Sequence, residues 1–331
     1  MNRRDFLAMA AATGGMAAFP GIARAQVPGV TATEIRIGQT TALSGPAAAY
    51  AAAAIVFKNY LQMINERGGI NGRKLTVLQL DDGYSPPKTV EATRKLVEQE
   101  EVLLMAATTG TPTSLSVRAY LNQKKVPQLF VGSGAATWTD EIQKYPWSLG
   151  FQPQFTDEGR GTAAFVLKQK PNAKIAVCYQ NDDAGRDFLR GLKAGLAAAS
   201  ASNKLVSELT HEVTDPTVDS QVISAQASGA DVFMLWGSPK ATAQGIRKAG
   251  EIGWKPSIFI NQNATSVKSV MEVAGLDRSK GVMAAAFMKD PADPAWSSDK
   301  AMLDWKAFMD KYSPAQPRDN LATYGTLQAQ A

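Results

Sequence analysis

Two runs rich in hydroxyl residues and glycine have the makings of an anion receptor: Thr108-Thr109-Gly110-Thr111-Pro112-Thr113 and Gly132-Ser133-Gly134. Each follows a short apolar stretch that reads as a β-strand, and the loops beyond the carboxyl ends of such strands are where open α/β sheets hold their ligands. Pro112 suits the first turn of a helix, where its missing N–H costs nothing. The other N–H groups of that turn have no intrahelical acceptor, so together with neighbouring hydroxyls they can receive a carboxylate. Thr40-Thr41-Ala42-Leu43-Ser44-Gly45-Pro46 and Tyr179-Gln180-Asn181-Asp182-Asp183-Ala184-Gly185 occupy equivalent strand ends. The plainer reading is that all four are ordinary β-α loops with helix caps.

Covalent or metal chemistry has far less to draw on. One cysteine excludes an internal disulfide, and one histidine excludes the usual histidine-rich metal sites, so no metal or other cofactor is expected. His211, in Thr210-His211-Glu212, has no nucleophile or second ligand close in sequence and reads as solvated. Cys178 lies in the apolar run Ile175-Ala176-Val177-Cys178 and reads as an inert core thiol. Gly132-Ser133-Gly134 is not the G-x-S-x-G elbow of a serine hydrolase, and neither a phosphate loop nor a dinucleotide fingerprint occurs. Asp81-Asp82 and Asp182-Asp183 are adjacent residues whose side chains diverge at a strand end, so they read as loop hydrogen bonders. The sequence is not that of an enzyme.

These loops need strands and helices to hold them. Short apolar runs at Ile35–Thr40, Leu75–Leu80, Val102–Met105, Gln128–Val131, Lys174–Tyr179, Leu205–Leu209, Val232–Leu235, Ser257–Ile260 and Val282–Ala286 suit parallel strands covered on both faces. Between them run helical patterns. Tyr50, Ala54, Phe57, Leu61 and Ile64 form one stripe at spacings of three and four. Strict alternation implies an α/β fold of doubly wound parallel sheets with right-handed crossovers. It falls into two blocks, one from Ile35 to Trp147 and one opening at Phe165, separated by the irregular stretch Gly150-Phe151-Gln152-Pro153-Gln154-Phe155. A second crossing is expected near Phe287–Pro294, with helices at Ser297–Tyr312 and Leu321–Ala331 returning to the first block. The expected division is residues 26–150 for the first lobe, 151–286 for the second and 287–331 for the return, joined by hinge crossovers.

The opening residues set the compartment. Arg3 and Arg4, an apolar middle and Ala23-Arg24-Ala25 have the layout of a secretory signal over residues 1–25. The paired arginines before Asp5-Phe6-Leu7 resemble a twin-arginine (Tat) signal, with an ordinary Sec leader as the alternative. The formal charge of +5 is partly in this leader. What remains is too thin and dispersed for nucleic-acid binding.

Several pieces of this sequence occur together in one known family. Ser44-Gly45-Pro46 with Tyr50, Gly68-Gly69-Ile70-Asn71-Gly72-Arg73-Lys74, Asp81-Asp82 and Gly110-Thr111-Pro112-Thr113 resemble the branched-chain amino acid (Leu/Ile/Val) binding proteins of ABC importers. Asn181-Asp182-Asp183 with Gly185, and Thr323-Tyr324-Gly325, belong to the same pattern. The resemblance implies a type I periplasmic binding protein, a monomer that closes two lobes on one small solute and delivers it to ABC permease subunits in the inner membrane. It also implies a pocket using Tyr50, with Thr109, Gly110 and Gly132 through Gly134 gripping the ligand's carboxylate.

The sequence departs from that family in the second lobe. Asn263, in Asn261-Gln262-Asn263, falls where amino-acid binders place an acidic residue for the α-ammonium, and Ala184 and Ser238 fall where they often place tyrosines. A buried ammonium without a carboxylate costs several kcal/mol. The departures therefore favour a carboxylate without an amine and with a flat or bulky apolar body, an aromatic acid such as benzoate or a hydroxycinnamate, which some relatives bind. Phe155, Trp236 and Phe287 are candidates to pack on such a ring, the alternative being that they are core. The remaining alternatives are a branched-chain or other amino acid as ligand, a periplasmic sensor subunit, and an enzyme on the same scaffold. Family members also continue past the helix bearing Tyr324, so the C-terminal part reads as truncated, with a loosely hinged molecule expected if the chain ends at Ala331.

Overall fold

The computed structural model describes residues 27–331; the leader read at residues 1–25 lies outside the described residues. The first sheet contains β1 (Glu34–Thr41), β2 (Lys74–Asp81), β3 (Leu104–Ala106), β4 (Gln128–Val131) and β5 (Ser148–Gly150), in the order β2-β1-β3-β4-β5. The second contains β6 (Ile175–Gln180), β7 (Leu205–His211), β8 (Val232–Trp236), β9 (Ser257–Ile260) and β10 (Met283–Ala284), in the order β10-β9-β8-β6-β7. Every strand pair is parallel. Both sheets have the same winding. In each, the chain steps outward to one side from the first strand and then to the other, so the order reverses beside β1 and beside β6. Such a reversal leaves a crevice at the carboxyl ends of the strands, because the two flanking helices lie on opposite faces.

The longer helices are α1 (Ala51–Glu66), α2 (Pro86–Glu98), α3 (Thr111–Lys124), α4 (Phe155–Gln169), α5 (Asp183–Ala198), α6 (Asp219–Ala227), α7 (Pro239–Glu251), α8 (Lys300–Tyr312) and α9 (Asn320–Gln330). Prolines at the starts of α2, α3 and α7 occupy first-turn positions. All five residues of β8 are buried, as a strand sandwiched between helix layers requires. Phe233 and Leu235 face one hydrophobic cluster, and Met234 and Trp236 the opposite one. The α4 and α5 helices approach closely through glycine: a Cβ on Gly159 would lie 2.3 Å from the Phe188 carbonyl oxygen, and one on Gly191 would lie 2.0 Å from that of Thr156. After β10 the chain returns to the first lobe, where Trp305, Phe308 and Met309 of α8 pack with Val56 and Met63 of α1.

Several sequence expectations need correction. The third strand begins at Leu104, while Val102 is buried in the core beneath it. The stretch read as irregular from Gly150 to Phe155 is split: Gly150 ends β5, a strand not foreseen, and Phe155 opens α4 ten residues before Phe165. His211 is not solvated but buried at the end of β7, with Nδ1 3.2 Å from the Glu212 carbonyl oxygen. Burial lowers its pKa. Cys178 is buried, and desolvation pushes its thiol up to about 12. Asp81 and Asp82 bond loops as read: Asp81 accepts from Leu43 N, Ser44 Oγ and Gly83 N, and Asp82 from Tyr84 N and Thr89 Oγ1.

Candidate functional site: a cavity between the lobes

The carboxyl ends of both sheets face a common cavity. It offers about 50 Å³ to the centres of water-sized molecules, within about 570 Å³ of empty space that runs out to its mouth. The first lobe contributes Tyr50, Tyr84, Thr109, Gly110, Thr111 and Gly132; the second contributes Gln180, Ala184, Trp236, Gly237, Asn261 and Asn263. Gln152 of the first crossing, Phe155 of α4 and Tyr324 of α9 complete much of the wall. None of the side chains lining it is charged.

On the first-lobe side the wall combines two tyrosine rings with the backbone and hydroxyls of the β3 and β4 loops. Gly132 N donates to Thr108 O at 2.8 Å, continuing the β3–β4 pairing into the loops. Thr41 Oγ1 donates to Thr109 Oγ1 at 3.2 Å, and Thr113 Oγ1 to Thr109 O at 2.6 Å. Gly110 caps α3 at φ 99° and ψ 144°, a conformation that disfavours any Cβ. A Cβ there would also lie 2.4 Å from the Tyr84 ring. The first turn of α3 thus reaches the cavity at Gly110, whose N–H donates to Gly132 O at 3.3 Å, and at Thr111, whose N–H has no backbone acceptor, bringing the positive end of the helix dipole. Tyr50 and Tyr84 lie beside it with ring centroids 6.2 Å apart. Burial, reinforced by the nearby Asp182 carboxylate, raises the pKa of both phenols.

The second-lobe side is made of side chains. Trp236 packs edge-on against Phe155 at 4.8 Å and stacks on Phe188 at 5.5 Å, so it is core and cavity wall at once. Asn261 Nδ2 donates to Gly237 O at 3.1 Å, leaving Asn261 Oδ1 buried without a partner. Tyr324 Oη is likewise unpartnered, although its ring is fixed by Phe151 at 5.8 Å. Both atoms are free to take a hydrogen bond from within the cavity. Gln152 Nε2 donates to Asn263 Oδ1 at 3.0 Å, and Ala136 N of the first lobe donates to Asp187 Oδ2 of α5 at 2.7 Å. Together with Ser266 Oγ donating to Asp319 and Asn320 Nδ2 donating to Thr265 Oγ1 at 2.9 Å, these contacts join the lobes.

Of the residues singled out from sequence, Tyr50, Thr109, Gly110, Gly132, Phe155, Ala184, Trp236 and Asn263 line the cavity. Five do not. Thr108 bonds Ser114 Oγ at 3.0 Å behind the wall. Ser133 takes up Thr111 Oγ1 and Trp138 Nε1 at 2.6 and 2.9 Å. Gly134 lies against Pro153 and Phe155. Ser238 is buried and caps α7 through Ala241 N. Phe287 sits on the outer side of Tyr324, 6.3 Å away, in a separate groove with Phe151 and Leu327. Sequence reasoning missed Tyr84, Gln152, Gln180, Asn261 and Tyr324. All but Tyr84 lie inside strand-end, crossing or motif segments, so position in the chain was the available signal.

A family model for periplasmic binding proteins matches residues 34–331. The chain belongs to the type I periplasmic binding proteins, in the branched-chain amino acid family. This periplasmic binding protein is similar to the leucine-specific-binding protein of Salmonella typhimurium, 22% identical over 312 residues that make up 94% of this chain and 81% of that one. An amino acid binding protein of Pseudomonas aeruginosa is 22% identical over 81% of this chain and 69% of its own. Among solved structures, a fatty acid ABC transporter substrate-binding protein from Thermomonospora curvata matches with a TM-score of 0.79 at 23% identity, covering 92% of this chain and 76% of that one. A branched-chain amino acid transporter substrate-binding protein from Streptococcus pneumoniae in complex with isoleucine matches at a TM-score of 0.74 and 17% identity, over 90% of this chain and 82% of that one. The protein is therefore a periplasmic ligand-binding protein of the ABC-transporter type, from a family of solute-binding proteins rather than enzymes. No helix among the described residues is long and apolar enough to cross a membrane.

Proposed function

We propose that this protein captures a small carboxylate, an aromatic acid, between its lobes as a monomer and hands it to the permease subunits of an ABC importer. The observation that carries this reading is the uncharged cavity wall, with the N-terminus of α3 at one side and no acidic side chain in contact with the space. A carboxylate is stabilised there by backbone N–H groups and the helix dipole. An α-ammonium would find only neutral acceptors, the amide oxygens of Gln152, Gln180, Asn261 and Asn263 and the hydroxyls of the tyrosines and threonines, and these do not neutralise a buried cation. Phe155, Trp236, Tyr50 and Tyr84 supply aromatic surface for a flat body. Closure of the lobes, joined through Gln152–Asn263 and Ala136–Asp187, is the binding step, and the ligand acts by favouring the closed state.

A second reading rests on the relatives: several are named for leucine or for Leu/Ile/Val, which makes an aliphatic amino acid the competing ligand. A thermal-shift screen separates the two. Benzoate and 4-hydroxycinnamate are expected to raise the melting temperature by several degrees at about a hundred times Kd, where linkage supplies about 2.7 kcal/mol. Leucine, isoleucine and valine are expected to leave it unchanged. Stabilisation by the amino acids and not by their deaminated analogues would overturn the carboxylate reading. Fatty acids belong in the screen because a structural neighbour bears that name.

A further inference from the structure

Of the two acidic residues in the first turn of α4, Asp157 and Glu158, only Glu158 is buried, and it is not part of the cavity wall. Its two oxygens reach two different pieces of that wall. Oε1 accepts the backbone N–H of Gln262 at 3.0 Å, fixing the loop that carries Asn261 and Asn263. Oε2 faces the indole N–H of Trp236 at 3.4 Å. Phe155, which packs on Trp236, precedes it by one turn on the same helix. One carboxyl group therefore ties together the aromatic side and the amide side of the second-lobe wall, on a helix held tightly to α5 through Gly159 and Gly191.

We propose that Glu158 is a proton-linked positioning residue: capture of an anion in the cavity is coupled to uptake of one proton from solvent by this carboxyl group. The inference rests on the carboxylate reading of the site. An ionised Glu158 would place a second negative charge immediately behind the wall that the ligand touches, with little water between to screen it. Protonation removes that repulsion and leaves the carbonyl oxygen able to accept the Gln262 N–H. The group is poised for this, because burial pushes its carboxyl up to about 7 against the pull of the Gln262 and Trp236 donors.

Other charges face Glu158 weakly. On α4, Asp157, Arg160 and Lys168 point outward, and on α5 so do Asp183, Arg186, Arg190 and Lys193. Asp187 of α5 is engaged by Ala136 N, and β8 and β9 contribute no charged residue. His211 lies behind Gly237, and Asp182, which caps α5 and accepts from Gln180 Nε2, lies beside the tyrosines across the cavity. Both remain in a Glu158→Gln variant, so any titration they contribute is common to the two proteins.

The test is the pH profile of 4-hydroxycinnamate affinity between pH 6 and 8, where the probe carboxylate stays ionised. In the unaltered protein Kd is expected to rise about tenfold across this range, and in Glu158→Gln by less than about twofold. Calorimetry of the unaltered protein in two buffers of different ionisation heat reads the proton directly and needs no variant. A substantial fraction of a proton taken up per ligand near pH 7.5 is expected. Parallel profiles in the two proteins, or no proton uptake, would overturn the inference while leaving the carboxylate reading intact. Failure of 4-hydroxycinnamate to bind at any pH overturns both.

Discussion

In the first lobe the cavity is bounded by main chain at Gly110, Thr111 and Gly132, by the rings of Tyr50 and Tyr84, and by the Thr109 and Thr111 hydroxyls, already bonded to those of Thr41 and Ser133. In the second it is bounded by side chains whose polar ends are amides and whose bulk is aromatic. The two sheets have the same strand order and meet the cavity at the same topological position. The difference lies in the residues just beyond each strand. After β3 comes a glycine cap and a helix N-terminus, a receptor that varies little with side-chain identity. After β8 and β9 come Trp236 and the Asn261–Asn263 loop, whose chemistry any substitution rewrites. On the proposed reading, the first lobe recognises a carboxylate as a class, and the second decides what else the ligand carries.

Putting a charge into the second lobe should break this division most. Asn263→Asp keeps the oxygen that accepts from Gln152 Nε2, so the lobe contact survives. It also sets a carboxylate in a wall that has none. At a separation of about 4–6 Å and an effective dielectric near 20, like charges repel by about 3–4 kcal/mol. Affinity for benzoate or 4-hydroxycinnamate should fall about a hundredfold, measured by calorimetry. Ligands bearing an amine should gain. Unchanged aromatic-acid binding would show that the second lobe does not control charge selection.

A smaller loss is expected from the first lobe. Gly110→Ala forces a side chain into a backbone region that costs about 1–3 kcal/mol, and its Cβ would crowd Tyr84 and the Thr113 hydroxyl. Binding should weaken about thirtyfold, with a lower melting temperature. Gly132→Ala is the control, because its Cβ would come no closer than 3.3 Å to the Thr108 carbonyl oxygen and its φ is not positive. Equal losses in the two variants would mean that the special conformation at Gly110 is not what holds the receptor in shape.

The sequence made buried strands and glycine-capped loops easier to read than short strands and the packing between lobes. Continuous apolar runs marked Gln128–Val131 and Ser257–Ile260 to the residue, since a parallel strand covered on both faces leaves an unbroken signal. Loop chemistry after β3 followed from Gly110 and Pro112, whose roles are set by local backbone geometry. By contrast, β5 is three residues long with Leu149 exposed, too short to show any period. Trp236 looked equally suited to core or wall, and the fold uses it as both. His211 read as solvated because nothing in its neighbours reveals that Gly237 leaves room for the imidazole. Phe287 and Tyr324 illustrate the same limit. The return of α9 puts the tyrosine into the cavity and the phenylalanine behind it, and only the crossing of the chain between lobes decides which.

The smallest expected effect tests how the two halves are joined rather than what they recognise. Asp187 of α5 accepts the Ala136 N–H across the cleft, while Arg190 one turn later holds its other oxygen at 2.8 Å. The contact exists only when the lobes are together. Removing it should therefore penalise the closed state and leave each lobe intact. Asp187→Ala is expected to cost about 1 kcal/mol, discounted for partial exposure, which is about fivefold in affinity and appears as faster ligand dissociation. Asp187→Asn keeps an acceptor and should cost less. Desolvation raises this carboxyl above its usual range despite the Ala136 and Arg190 partners, so the closed state holds a proton on it more readily than a free carboxylate does. Dissociation of the bound acid, followed by stopped-flow tryptophan fluorescence, should therefore slow as pH falls in the unaltered protein, with a weaker trend in Asp187→Ala. Because Glu158 and Asp187 each favour the closed, ligand-bound state by gaining a proton, a double variant should lose both contributions, and a pH slope as steep as in the unaltered protein would show that neither residue carries the proton.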